Sequence, residues 1–129
     1  MANTFNEDHQ IETYKSMVTI SIEVFKYLAL LNGGAAAGML AIFDRLSKVI
    51  PLCALKVSLV CFVVGLLFTG IAVFCSYWTQ NTLFNEGFQR LPKGKHVRFL
   101  RIATATCVLS LLAFCIGASI GVLNARPSL

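Results

Sequence analysis

The sequence predicts an all-α membrane protein with three transmembrane helices, the first of them long. Three observations predict it. Hydrophobic residues make up 57% of the 129 and charged residues 13%, where soluble domains average about 45–50% and about 25%. The apolar residues fall into three blocks, each long enough to cross a bilayer. Removing those blocks leaves an N-terminal stub, two connections and a short tail, so a second, soluble domain does not fit. The expected spans are about 17–44, 52–78 and 99–123 within a single domain of residues 1–129, with a basic connection at 87–98.

The first block is the least uniform. Asn6, Glu7 and Asp8 suit a helix N-terminus. From Ile11 no proline occurs until Pro51, which predicts one helix of roughly forty residues, about 60 Å long at 1.5 Å per residue. That is twice the hydrocarbon core of about 30 Å. The N-terminal part must therefore protrude, lie at the interface or line something wet. Glu12, Ser16, Thr19, Glu23 and Lys26 follow steps of four, three, four and three residues, so they form one line along the helix. The line continues as Leu30, Gly33 and Ala37 and becomes small. Residues 33–38 read GGAAAG and place a GxxxG at Gly34 and Gly38. Small residues let helix backbones approach closely in lipid.

Asp44, Arg45 and Lys48 close this span, and Pro51 suits the first turn of the next helix. Lys56 snorkels near the start of the second span, and Tyr77 and Trp78 form an aromatic belt at its far end. Ser58, Gly65, Thr69, Ala72 and Ser76 share a small-residue face. The helix is expected to continue beyond the bilayer through Gln80, Asn81, Asn85 and Glu86, with Leu83, Phe84 and Phe88 as its apolar side. Gly87 and LPKG (91–94) mark a turn. In the third span Ala103, Thr106, Ser110, Ala113 and Gly117 form another small face, and Gly117 and Gly121 a second GxxxG.

The formal net charge is +5. Arg90, Lys93, Lys95, Arg98 and Arg101 gather beside an apolar block, which points to lipid headgroups or a protein partner rather than nucleic acid. Lys15, Lys26 and those five lie on the side of the N-terminus and second connection. Arg45, Lys48, Lys56 and Arg126 lie on the other side. The positive-inside rule then places the N-terminus in the cytoplasm and the C-terminus in the periplasm. The acidic start MANTFNEDHQ has no basic n-region, so no signal peptide is expected.

Chemistry finds little support. No HExxH, GxSxG, Walker loop or paired intramembrane carboxylate occurs. His96 belongs to the basic patch KGKHVR. The five cysteines all lie in apolar blocks without metal spacing and are read as packing residues. An enzyme is not expected, nor a cofactor or metal. Glu23 stands out, because acids in or near a membrane face a bundle interior, a cavity or a cation. With Ser16, Thr19 and Lys26 it lines a wet lumen in one reading. In the other, residues 11–26 lie among the headgroups and Glu23 and Lys26 are ordinary solvated charges. The small faces at Gly33, Gly34, Gly38, Gly65, Gly117 and Gly121 serve either packing within one bundle or a homo-oligomer.

LALLNGGAAAGMLAIF (28–43) and SYWTQNTLFNE (76–86) resemble a group of small bacterial multi-pass membrane proteins. That group shares an LNGGAA-type first span preceded by an amphipathic segment. The resemblance implies this architecture and a bacterial inner membrane. Small multi-pass proteins of similar build include membrane-perturbing anti-phage effectors and holins. The expectation is a homo-oligomeric pore that depolarises the membrane. The alternatives are a non-conducting sensor or scaffold holding a cytoplasmic partner, and a phage holin.

Overall fold

The computed structural model describes residues 2–125, with side chains from Ile11 onward and at His9. Its elements are α1 (Ala2–Ala41), α2 (Phe43–Leu46), α3 (Leu52–Gly87) and α4 (His96–Leu123). No strand occurs among the described residues. Ile11–Ala41, Leu52–Gly87 and His96–Leu123 are each long and apolar enough to cross a membrane. The protein is an all-helical, multi-pass membrane protein with three long helices.

α1 has the forty residues expected of it, but it lies about ten residues nearer the N-terminus. It starts before the acidic residues and stops at Ala41 instead of running on to Pro51. Ile42 leaves the helical region at φ −120°, ψ 23°. Ser47 Oγ then donates to the Asp44 carbonyl at 2.9 Å, giving the backbone an alternative to the helical ladder. Pro51 (φ −54°, ψ 135°) caps α3 and does not enter it. The expected extension of α3 through Glu86 is present, and the second connection is the short segment 88–95.

α3 and α4 form the closest pair, and α1 packs mainly on α3. The small faces explain the pairing. Ser58, Gly65, Thr69 and Ala72 of α3 are buried, as are Ala103, Thr106, Ser110 and Gly117 of α4. A Cβ at Gly117 would lie 2.9 Å from the Phe62 ring and 3.1 Å from the Ser58 carbonyl, so a larger residue there would have to push the Phe62 ring and α3 away. Phe62 meets Phe114 with ring centroids 5.7 Å apart, and Trp78 stacks on Phe99 at 6.1 Å. Hydroxyls within the helices turn back on their own carbonyls, as Thr69, Thr79 and Thr106 do toward Gly65, Cys75 and Ile102. In lipid these internal partners replace water.

Candidate functional site

A polar layer crosses the three long helices. Asn32 of α1 and Ser110 of α4 are fully buried and Thr69 of α3 is buried beside them; Ser58, also fully buried, lies farther along α3 at the level of Gly117 and Gly121. Asn32 Nδ2 donates to Ser110 Oγ at 3.1 Å and to the Leu28 carbonyl at 3.2 Å. Carbonyls only accept, which fixes the amide orientation. Thr69 Oγ1 donates to the Gly65 carbonyl at 3.1 Å, so Ser110 Oγ donates to Thr69 across 2.9 Å. The relay runs Asn32 to Ser110 to Thr69 to Gly65. Asn32 Oδ1 and Ser58 Oγ have no hydrogen-bond partner. The carboxamide sits against Gly65, where any Cβ would overlap it.

Residue counts along each helix give distances from this layer. Gly65 is the midpoint of residues 52–78, and Ser110 is next to the midpoint of 99–123. Glu23, Lys56 and Arg101 each stand nine residues from the layer on their own helix. That is about 14 Å at 1.5 Å per residue, close to the half-thickness of about 15 Å. On α3 and α4 no charge lies nearer to the layer than Lys56 and Arg101, whereas on α1 Lys26 does. Lys26 lies about 9 Å from the layer, and its Nζ reaches back to Glu23 Oε1 at 2.8 Å, as a snorkelling lysine does.

Ser16, Thr19, Glu23 and Lys26 all lie exposed on the side of α1 away from the bundle. Eleven residues turn a helix by about three full turns, so Gly34 lies in line with Glu23. Asn32, nine residues on, faces the opposite way. Nothing lies within 4 Å of a Cβ built at Gly34 or Gly38. Gly33 is turned toward α3, its Cβ position 3.8 Å from Leu66. Gly65 and Gly117 are consumed inside the bundle, and Gly121 lies against Ser58 Oγ at 3.6 Å. The six glycines therefore divide: three serve the chain's own packing, Gly33 touches it, and the Gly34–Gly38 seam is left outward.

At the end of α3 the sequence reading missed a clasp. Glu86 is buried and accepts from Gly94 N and His96 N, both at 2.9 Å, and from His96 Nδ1 at 2.9 Å. Gly94 donates from φ +95°, a conformation that suits glycine. Glu86 lies eight residues beyond Trp78, outside the span. Desolvation pushes its carboxyl up, but the two backbone donors and the imidazole outweigh it and bring the pKa down to about 2. His96 is thus not a member of the open basic patch; a buried carboxylate holds it. Arg90, Lys93, Lys95, Arg98 and Arg101 do remain exposed. Arg98 and Arg101 belong to α4 rather than to the connection.

A cleft of about 370 Å³ opens between α1, the end of α3 and the start of α4. Phe25, Ile22 and Leu100 line one part, and Tyr14, Gln80 and His96 another. Tyr14 hydrogen-bonds Gln80 and ties α1 to α3 here. Among the described residues no three His, Cys, Asp or Glu side chains gather to hold a metal ion. Cys75 is buried, whereas Cys53 and Cys115 face outward and do not pack as expected.

No protein-family model matches the chain, and neither a curated protein nor a solved structure shows significant similarity to it.

Proposed function

We propose that the protein is a homo-oligomeric pore in the bacterial inner membrane, with α1 of each copy facing the conduction path. The observation that carries this is the outward face of α1. It holds Ser16, Thr19, Glu23 and Lys26 in its outer half and the open Gly34–Gly38 seam in its membrane half. Neither takes part in the packing of a single copy. Apposed α1 helices bury the glycine seam through close van der Waals contact and place Glu23 and Lys26 at the mouth. The excess of cations on the side of α1's N-terminus favours a cytoplasmic N-terminus and a periplasmic C-terminus. The setting consistent with this build is a toxin or anti-phage effector that depolarises the membrane. Purified protein in liposomes tests it. Wild type is expected to pass ions, and Glu23→Ala and Gly34→Leu to insert but lose conductance. If both variants conduct like wild type, or wild type passes nothing, the pore proposal fails.

A second reading, a scaffold for a cytoplasmic protein, is favoured by one feature. Phe84 lies about 28 Å along α3 from Gly65, beyond the hydrocarbon. It is 62% exposed and packs on exposed Phe88 at 4.7 Å. Arg90 lies 5.7 Å over the Phe88 ring. A partner-binding role predicts that Phe84→Ala with Phe88→Ala releases a co-purifying protein and leaves the conductance of liposomes at zero, as in wild type.

A further inference from the structure

One face of α4 is apolar for most of its length and cationic at one end. Arg98, Arg101, Ala105, Val108 and Leu112 follow steps of three, four, three and four residues, so they form one line along the helix. All five are exposed, while Ala103, Thr106, Ser110 and Gly117 on the other side of the helix are buried. The line is therefore a surface that the protein's own packing leaves open.

The level of the two arginines follows from the chain that comes after them. Residues 102–123 hold no charged side chain. As a helix they rise about 33 Å, close to the hydrocarbon thickness of about 30 Å. Arg101 therefore stands at the hydrocarbon boundary, and Arg98 about 4.5 Å farther out, in the headgroup region. α3 supplies a second marker of the same level. Its Trp78 stacks on Phe99, which lies between the two arginines in sequence, with ring centroids 6.1 Å apart. Tyr77 beside it is exposed, and exposed Tyr and Trp rings gather at headgroup level.

Neither arginine is neutralised by the protein. Neither forms an ion pair with a described residue. Glu86, the acid nearest to them in sequence, is buried, and its oxygens accept from Gly94 N, His96 N and His96 Nδ1. Exposed Glu23 is held by Lys26 at 2.8 Å. Guanidinium groups at headgroup level match phosphate oxygens, and the apolar line running on from them matches the chains of the same molecule. A soluble acidic protein offers nothing to that line.

We propose that this face of α4 binds an anionic phospholipid, with Arg98 and Arg101 holding its phosphate and Val108 and Leu112 bearing its chains. In a zwitterionic lipid the ammonium offsets the phosphate charge and is repelled by the two arginines. The surface is independent of conduction and stands whether or not the protein forms a pore.

Delipidated full-length protein is offered equimolar phosphatidylglycerol and phosphatidylethanolamine in mild detergent, and retained lipid is counted by native mass spectrometry. Both headgroups carry hydrogen-bond donors, so net charge is what separates them. Wild type is expected to favour phosphatidylglycerol. Arg98→Gln with Arg101→Gln is expected to lower that preference by about 25-fold, about fivefold for each arginine. Both arginines are exposed, so the substitutions leave the packing intact. Arg45→Gln with Lys48→Gln, at the opposite end of the bundle, is expected to leave the preference as it is. No preference in wild type, an unchanged preference in the Arg98 and Arg101 variant, or an equal loss in the Arg45 and Lys48 variant overturns the proposal. So does displacement of the lipid by equimolar glycerophosphoglycerol, the same headgroup without chains.

Discussion

Asn32 donates from Nδ2 to Ser110 Oγ at 3.1 Å, across 78 residues of sequence. The contact holds α1 to α4, which otherwise meet sparsely, since α1 packs mainly on α3. It also fixes which face of α1 turns inward. Glu23, nine residues earlier, is consequently turned outward, with its side chain 64% exposed.

Ser110→Ala removes the acceptor of Asn32 and the donor to Thr69. Interhelical hydrogen bonds in membranes average about 0.6 kcal/mol and reach about 1.7. The expected loss is about 1–2 kcal/mol, read as the midpoint of unfolding in mixed detergent. Asn32→Ala is expected to cost at least as much, because it also empties packed volume.

Gly65→Leu and Gly34→Leu are expected to separate fold from assembly. At Gly65 the added side chain overlaps Asn32, and overpacking of this kind costs about 1–3 kcal/mol or more. At Gly34 the space is open, so the midpoint stays at the wild-type value. Crosslinking in membranes then reads the seam alone: Gly34→Leu is expected to lose oligomer bands without losing stability.

Glu86 gives a pH dependence whose sign follows from its depressed pKa. Its folded value is about 2 against an ordinary 4.5. Its contribution is therefore complete above pH 4.5 and is lost as pH falls from there toward 2. Thermal midpoints between pH 7 and pH 2.5 are expected to fall in that window. Glu86→Gln, less stable at neutral pH, is expected to show a flatter profile there.

Glu23 and Lys26 are expected to contribute almost nothing to stability. Their side chains are 64% and 67% exposed, and such pairs are worth at most about 0.5 kcal/mol. Glu23→Ala is expected to leave the unfolding midpoint unchanged. Any functional loss in that variant is then separable from misfolding.

Much of the architecture was legible because lipid imposes a simple rule on composition. Three apolar blocks had to be helices to satisfy their own backbones. Asp44 stands just after the end of α1, Pro51 just before α3 and the LPKG turn between α3 and α4, whereas Trp78 lies inside α3. The small faces of α3 and α4 were legible too, since heptad-spaced small residues mark close approach. Asn32 was not read, although it carries the one amide side chain in residues 27–43. A polar side chain deep in a span signals a partner, but its sequence names no partner 78 residues away. Glu86 and His96 sat in plain view on either side of a turn. Their attraction depends on Gly94 bending the chain back, and on Glu86 being on the packed side of α3.

The sequence by itself determined an all-helical membrane protein with three spans and a long first helix, because burial in lipid constrains length, composition and backbone pairing in each segment separately. Only the tertiary structure decided which face of α1 is inward and which glycines are already used. Those depend on register between helices. Register is set by a few side-chain contacts between distant residues, of which Asn32 with Ser110 and Tyr14 with Gln80 hold α1.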